Sequence, residues 1–245
     1  MSADHKRTAI AAGFSLLPRY PKTPHLPHSK LTAKDDLYAS DAELAVLLCS
    51  KTMCVEEKLD GANVRIHWDG KGDLLVGNRD HVLHKGYLKK ETPAKLQFCP
   101  LWNWIYDHRR SFARLTELCQ GTPAIYGEWL YAEHTIKYDK LPSLLAVFGI
   151  MINNKFLDPI ITRQMVSLAG LTNPPLVSLN NGTIAQDLLD TKSYWGDELR
   201  EGVYIKCGDG RFNTGMFKYV RSTFAPRNDF NESELKRNTL NANAT

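Results

Sequence analysis

A lysine stands two residues ahead of an Asp-Gly turn in the stretch Glu57-Lys58-Leu59-Asp60-Gly61-Ala62-Asn63-Val64-Arg65-Ile66. Asp-Gly pairs are typical of tight turns, and the residues after this one alternate between polar and apolar side chains. The stretch therefore predicts two strands joined by a turn, with Lys58 at the end of the first. A lysine held in this way can act as a covalent nucleophile rather than as a surface charge.

The composition is that of an ordinary soluble globular protein. Of the 245 residues, 43% are hydrophobic and 24% are charged, and the net charge is +4, which suits one large domain or two small ones. The five cysteines contain no Cys-x-x-Cys pair, so neither a disulfide framework nor a zinc site is predicted. No apolar run suggests a signal peptide or a membrane span. We expect a soluble intracellular protein, cytoplasmic and without a membrane partner.

Composition divides the chain into three parts. Residues 1–49 form a proline-rich arm, expected to lie extended on the domain surface, and a short helix over 41–49 with Ser40 or Asp41 as its N-cap. Residues 50–226 carry the remaining strands and helices. Residues 227–245 form a polar tail that we expect to be mobile or weakly helical.

The order of the expected elements indicates the fold class. Strands are expected at 53–58, 62–68, 74–76, 124–131, 144–152, 202–207 and 216–220, and helices at 93–118 with an interruption at Pro100, at 162–169 and at 184–192. No regular alternation of strand and helix is present. The pattern favours an α+β fold with mostly antiparallel sheets over a doubly wound fold.

Three short signatures carry charged residues on these strands. They are Lys58-Leu59-Asp60-Gly61, then Tyr126-Gly127-Glu128, and then Glu201-Gly202-Val203-Tyr204-Ile205-Lys206, which Phe217-Lys218 follows closely. Each alone is a weak signal, because Asp-Gly turns and strand glutamates are common. Their order along one chain is far more specific.

This order resembles that of the covalent nucleotidyltransferases, which include DNA ligases, RNA ligases and mRNA capping enzymes. The resemblance covers about residues 50–225 and is best to the RNA ligase 2-like branch. Asn63, Arg79, the run at 129–138 and the arm segment at 20–27 fit that branch. It implies a nucleotidyltransferase (adenylyltransferase) domain of mostly antiparallel sheets with flanking helices, as in ATP-grasp-like ligase cores.

The resemblance also implies a cofactor and a set of site residues. Lys58 would be the nucleophile that attacks ATP, with Mg²⁺ or Mn²⁺ held by Glu201 and Glu128, and Phe148 would stack on the purine. The implied ATP-binding residues are Glu57, Lys58, Asn63, Arg79, Glu128, Phe148, Lys206 and Lys218. The candidate RNA contacts are Arg79, Lys85, Lys89, Lys90 and Arg221.

Nucleophilic attack requires a neutral lysine, although the ordinary pKa of a lysine is about 10.4. Partial burial and nearby cations lower that pKa, and Lys206, Lys218 and Arg79 are the expected cations. Glu56, Glu57 and Asp60 would raise it if they were close. The resemblance therefore implies that these carboxylates face elsewhere or bind metal.

Two features depart from the family pattern. Strict alternation places Glu201 and Lys206 on opposite faces of one strand, so Glu201 must precede the regular strand or Gly202 must bend it. Met216 stands where the family has the first of two lysines. Either one phosphate contact is missing here, or Arg221 or Arg211 replaces it.

The leading interpretation is an ATP-dependent RNA ligase that joins 3′-hydroxyl and 5′-phosphate RNA ends through a lysyl-AMP intermediate. About 20 residues follow Phe224, too few for a further β-barrel, so we expect a minimal catalytic domain. The basic segment at 85–90 or a partner protein would then supply RNA affinity or end healing. The alternatives are a ligase for nicked DNA or RNA/DNA hybrids, and a non-catalytic nucleic-acid-binding protein on the same scaffold.

Overall fold

Two antiparallel sheets form the body of the protein in the computed structural model, which describes residues 17–68, 74–83, 96–179, 191–227 and 235–242. The strands are β1 Thr52–Lys58, β2 Ala62–Trp68, β3 Leu74–Asn78, β4 Val82–Leu83, β5 Ala124–Trp129, β6 Leu145–Ile152, β7 Lys155–Phe156, β8 Leu176–Ser178, β9 Gly202–Gly208 and β10 Asn213–Val220. The helices are α1 Asp41–Cys49, α2 Leu101–Asp107, α3 Arg109–Leu118 and α4 Pro159–Leu168. The predicted α+β class with mostly antiparallel sheets is confirmed.

The first sheet has the strand order β10-β9-β1-β8. Strand β1 lies between β9 and β8, and Lys58 at its end is paired with Gly202 at the start of β9. Gly210, in the turn that joins β9 to β10, has a φ of +93°, which suits glycine because it has no Cβ. The sheet therefore brings the end of β1 next to the residue that precedes β9.

The second sheet has the order β4-β3-β2-β5-β6-β7. Strand β2 has the bounds expected from the Asp-Gly turn and the alternation after it. Its pairing with β5 places Asn63 opposite Glu128. Two residues that lie far apart in sequence thus become neighbours on one face of the sheet.

One face of the second sheet packs against helices α2 and α3. The core there includes Val64, Ile66, Ile125, Val147 and Ile150 of the sheet, together with Leu101, Trp102, Ile105, Phe112 and Leu115 of the helices. Each large apolar side chain buried in this way contributes about 1.5–3 kcal/mol. Where the sequence predicted one helix over 93–118, the described part has two, because the chain breaks at His108 as well as near Pro100.

Helix α1 matches its expected bounds, and Ser40 is its N-cap. The Ser40 side chain accepts a hydrogen bond from the Glu43 amide, and the Glu43 carboxylate accepts one from the Ser40 amide. This reciprocal pair satisfies backbone donors at the helix start. Helix α4 begins at Pro159, three residues before its expected start, with Asp158 as N-cap; the helix expected over 184–192 lies almost wholly outside the described residues.

The N-terminal arm is more deeply embedded than the expected surface segment. It runs beside β10, where the Lys218 amide donates to the Pro24 carbonyl and the Leu26 amide donates to the Lys218 carbonyl. Proline suits a sheet edge because it has no amide hydrogen to donate. Leu17 and His25 are fully buried. The arm thus extends the first sheet and enters the space between the two sheets.

The described part of the C-terminal tail, residues 235–242, is extended rather than helical or detached. Asn238 is buried, and its side chain donates to the Leu130 and Ala132 carbonyls and accepts from the Tyr138 amide. The polar Asn238 side chain attaches this segment to the core. Such an attachment leaves no apolar pattern in the sequence from which it could be predicted. Across the described ranges, no helix is long and apolar enough to cross a membrane.

Candidate active site

Lys58 is the last residue of β1 and lies directly beside Glu201. Its Nζ is 2.6 Å from Glu201 Oε2, and the two side chains are 17% and 5% exposed. Glu201 precedes the first residue of β9, so the expectation that it lies outside the regular strand is confirmed. Lys58 Nζ also lies 5.7 Å from the centre of the Tyr204 ring.

The electrostatic surroundings of Lys58 keep it protonated. Burial would lower the pKa of Lys58, but the charges of Glu201, Tyr204 and Glu128 outweigh burial and raise the pKa well above its ordinary value. The expectation that nearby cations lower this pKa is therefore not met in the ligand-free arrangement. A nucleophilic Lys58 requires that the Glu201 charge be offset by another group.

The Asp60-Gly61 turn is fixed by hydrogen bonds to residues of β5 and of the segment that follows it. Asp60 Oδ2 accepts hydrogen bonds from the Thr135 and Ile136 amides at 2.7 and 2.9 Å. The Gly61 amide donates to Glu128 Oε1 at 3.1 Å, and a Cβ on Gly61 would lie 2.6 Å from the Trp129 carbonyl oxygen. Asp60 is therefore engaged by the Thr135 and Ile136 amides, and glycine is required where the turn passes close to the end of β5.

Glu128 and Asn63 face Lys58 from the second sheet. Burial raises the pKa of Glu128 to about 8 and that of Glu201 to about 7, although the Lys58 charge opposes both shifts. Asn63 Oδ1 is buried and has no hydrogen-bond partner within the described part of the chain. The site thus concentrates oxygen donors that the protein itself satisfies only in part.

Lys218 reaches the same site from β10 and is held by the arm. Its Nζ lies 2.8 Å from Asp36 Oδ1, and the two side chains are 12% and 8% exposed. Asp36 Oδ2 also accepts from the Thr32 and Ala33 amides and lies 3.1 Å from His25 Nε2. The carboxylate of Asp36 therefore fixes the position of the Lys218 ammonium.

These side chains surround one cavity of about 250 Å³. Its lining from the two sheets and their connections consists of Lys58, Gly61, Asn63, Arg79, Glu128, Tyr204 and Lys218. Its lining from the arm consists of Tyr20, Pro21, Thr23, Thr32, Ala33 and Asp36. The predicted Lys58, Asn63, Arg79, Glu128 and Lys218 are brought together, while the arm residues are functional candidates that the sequence did not single out. The prolines at 18, 21, 24 and 27 predicted an extended arm but not its position beside the cavity.

Lys206 and Phe148 lie behind the cavity rather than in its lining. Lys206 Nζ forms a buried ion pair with Glu56 and donates to the Phe148 carbonyl at 2.7 Å. It also lies 5.2 Å from the centre of the Phe148 ring. Glu56 is further paired with Arg163 at 2.6 Å. This arrangement accounts for the position of Glu56, whose charge is taken up by two cations away from Lys58.

Among the described residues, Glu57, Arg211 and Arg221 are absent from the cavity lining. The Glu57 side chain faces the opposite side of β1, where its Oε2 accepts from the Tyr194 amide. Arg221 donates to the Arg200 carbonyl and to Thr223 Oγ1, and Arg211 lies over the Phe212 ring. Neither arginine replaces the lysine missing at Met216. Lys85, Lys89 and Lys90 lie outside the described residues.

The fold is similar to solved structures of an RNA ligase from Naegleria gruberi. A lysine-to-alanine variant with ATP and Mn matches with a TM-score of 0.55 and 17% sequence identity, over 83% of this chain and 61% of that chain. A lysine-to-methionine variant with AMP and Mn matches with a TM-score of 0.51 and 16% identity, over the same shares of the two chains. The protein with PPi matches with a TM-score of 0.52 and 17% identity, over 83% and 60%. The present chain thus spans about three fifths of these structures.

Sequence comparison points in the same direction. No curated protein sequence matches the chain. A family model described as RNA ligase matches residues 51–220, a range that includes both sheets and every cavity residue outside the arm. The chain belongs to the RNA ligase family.

Proposed function

We propose that the protein is an ATP-dependent RNA ligase that works through a lysyl-AMP intermediate. Lys58 Nζ attacks the α-phosphorus of ATP, a phosphoamide bond forms, and pyrophosphate leaves. The AMP group then passes to the 5′-phosphate of an RNA end, and a 3′-hydroxyl attacks that phosphate and expels AMP. The observation that carries the proposal is the position of Lys58, whose ammonium faces a cavity lined by Glu128, Asn63, Arg79 and Lys218.

Besides Lys58, the cavity lining includes two cations and two side chains that carry oxygen atoms. Arg79 and Lys218 supply positive charge at the cavity, which suits the phosphates as their charge grows in the transition state. Glu128 and Asn63 lie opposite each other on the second sheet and are positioned to contact the ribose or a metal. Lys58 must lose its proton before it attacks, which requires that Glu201 be drawn to another cation.

The residues present fit a divalent metal ion. Glu201 and Glu128 are buried carboxyl groups around Lys58, and Asn63 Oδ1 is a buried acceptor without a partner in the described ranges. Oxygen donors of this kind are those that Mg²⁺ and Mn²⁺ prefer. When bound, the ion would supply charge that offsets both the phosphates and Glu201.

The substrate assignment rests on the family and on the basic residues around the site. RNA ligase structures are the fold neighbours, and Arg79 lies at the cavity. Arg221, Lys85, Lys89 and Lys90 remain candidate contacts to RNA phosphates. A 2′-hydroxyl contact would be needed to favour RNA over DNA.

Ligation of matched strands tests this proposal. Purified protein is incubated with ATP, Mg²⁺ and nicked duplexes whose 3′-hydroxyl strand is either RNA or DNA. We expect sealing of the RNA strand by wild type and by Lys51→Ala, which removes an exposed lysine near the start of β1. Lys58→Ala should not seal it. Equal or better sealing when the 3′-hydroxyl strand is DNA would contradict the RNA assignment. Sealing by Lys58→Ala would contradict the mechanism.

A further inference from the structure

Tyr20 is an arm residue that bridges the two sheets. Its ring centre lies 5.0 Å from that of Phe148, 5.2 Å from that of Phe156 and 5.5 Å from that of Tyr126, all on the second sheet. Its hydroxyl lies 2.8 Å from Met216 Sδ on the first sheet. Contacts on several sides fix the orientation of this ring, so Tyr20 is an ordered part of the site.

The hydroxyl contact gives Met216 a role in holding Tyr20. A thioether sulfur can accept a hydrogen bond from a phenol. Met216 and Lys206 are paired across β9 and β10, and Lys206 is already engaged with Glu56. Met216 thus holds the Tyr20 hydroxyl through its sulfur, next to the Lys206 ion pair.

The aromatic surface that faces the cavity belongs to Tyr20 and Tyr204. Both residues line it beside Lys58 and Glu128, and Phe148 is absent from the lining in the described chain. Tyr20 and the Lys206 ammonium occupy the space next to the Phe148 ring, at 5.0 and 5.2 Å from its centre. A base entering the cavity would meet Tyr20 before it could meet Phe148.

We propose that Tyr20 is a base-contacting residue of the nucleotide site and that Phe148 supports it from behind. The proposal rests on the proposed function, because it assigns the base of ATP to this cavity. It makes the N-terminal arm a part of the nucleotide site, with Tyr20 at the base and Asp36 on the phosphate-binding Lys218. Stacking on an aromatic side chain is tolerant of the base and is lost when the ring is removed.

The test compares the binding of ATP with that of inorganic tripolyphosphate, which has phosphates but no base. Dissociation constants are measured by calorimetry with Mg²⁺ for wild type, Tyr20→Ala and Tyr20→Phe. Tyr106→Ala is the matched control, because Tyr106 is 64% exposed on α2 and lies outside the cavity. Circular dichroism and thermal unfolding establish that each variant is folded.

We expect Tyr20→Ala to weaken ATP binding by about 10–100-fold, the loss of one base–aromatic stack, with tripolyphosphate binding unchanged. Tyr20→Phe keeps the ring and should stay within about 3-fold of wild type, a difference below 1 kcal/mol. Tighter or unchanged ATP binding by Tyr20→Ala would overturn the proposal, because Tyr20 would then cover the site or lie outside it. Equal losses for ATP and tripolyphosphate would also overturn it. If wild type binds ATP but is never labelled by it, the proposed function fails while the Tyr20 comparison stands.

Discussion

Lys58, which lines the cavity, forms a close charge pair with Glu201 behind it, and this pair defines the resting state of the site. At 2.6 Å the carboxylate stabilises the ammonium form of Lys58, which cannot act as a nucleophile. In the proposed function the same carboxylate would also bind the metal ion. Lys58 can therefore lose its proton and become a nucleophile when Glu201 binds a different cation.

Glu128 illustrates the cost in stability of assembling such a site. Burial raises the pKa of Glu128 to about 8, and the nearby Glu201 charge adds to that shift. We expect Glu128→Gln to raise the stability of the ligand-free protein by about 1 kcal/mol, or 2–4 °C in melting temperature. The amide oxygen can still accept from the Gly61 amide, while the buried acid is removed.

Thermal unfolding at pH 7.5 checks this expectation, with Glu117→Gln on the exposed face of α3 as the control. The same Glu128→Gln variant should lose adenylylation activity by at least 100-fold, the usual effect of removing an electrostatic catalytic group. A lower melting temperature for Glu128→Gln than for wild type would show that the carboxyl group stabilises the fold.

The arm and β10 act together as one structural element. Asp36 joins them through Lys218, with the arm backbone paired along the strand edge. An extended arm could be predicted from its prolines, since they disfavour helix. The strand that the arm joins could not be predicted. Asp36 and Lys218 are 182 residues apart, and nothing in a short stretch of sequence specifies which strand edge the arm will join.

Asp36→Asn should destabilise the protein by about 2–4 kcal/mol, since it leaves a largely buried Lys218 without a counter-charge. Urea unfolding gives the free energy. The control is Asp35→Asn, which removes the adjacent, exposed carboxylate paired with Lys22 and should cost less than about 1 kcal/mol. Equal costs for the two variants would mean that the buried pair does not hold the arm.

His25 gives the arm a dependence on pH. Burial and the Lys218 charge lower the pKa of His25, and Asp36 opposes them only in part. Between the lowered folded pKa and the unfolded value near 6.5, the unfolded chain binds more protons, so stability falls as the pH falls. We expect His25→Gln to reduce this slope, by at most about 1.4 kcal/mol per pH unit.

Urea unfolding at pH values from 7.5 to 5.0 measures the slope for wild type and for His25→Gln. His28→Gln is the matched control, because His28 is exposed in the same arm. Identical slopes in wild type and His25→Gln would contradict a buried, neutral His25.

On the scale of the whole molecule, the site is assembled from residues far apart in sequence. Asp36, Lys58, Glu128, Glu201 and Lys218 come from the arm, from both sheets and from the residue before β9. The resemblance to the covalent nucleotidyltransferases singled out four of these five as candidates, all but Asp36, because its motifs are particular residue types next to turns and glycines. The five side chains come together only when the arm and both sheets are folded.

The sequence was less informative where side chains pair across the fold. The resemblance implied Lys206 as an ATP-binding residue, and no local pattern predicted that Lys206 pairs with Glu56 on the same face of the first sheet. The sequence left the tail unattached, but the Asn238 side chain docks residues 235–242 by donating to the Leu130 and Ala132 carbonyls. Local patterns specify strands and turns well, whereas polar pairings between distant segments have no local signature.

The most direct test of the central claim is covalent labelling of the protein by ATP. Pure protein is mixed with α-labelled ATP and Mg²⁺ or Mn²⁺, denatured and examined for label on the polypeptide, with the intact mass recorded before and after. We expect one AMP per chain on wild type and on Lys51→Ala, none on folded Lys58→Ala, and release of the label from wild type when pyrophosphate is added. Label that persists on folded Lys58→Ala, or a wild-type chain that carries no AMP before or after incubation, would contradict Lys58 as the nucleophile of an adenylylating enzyme.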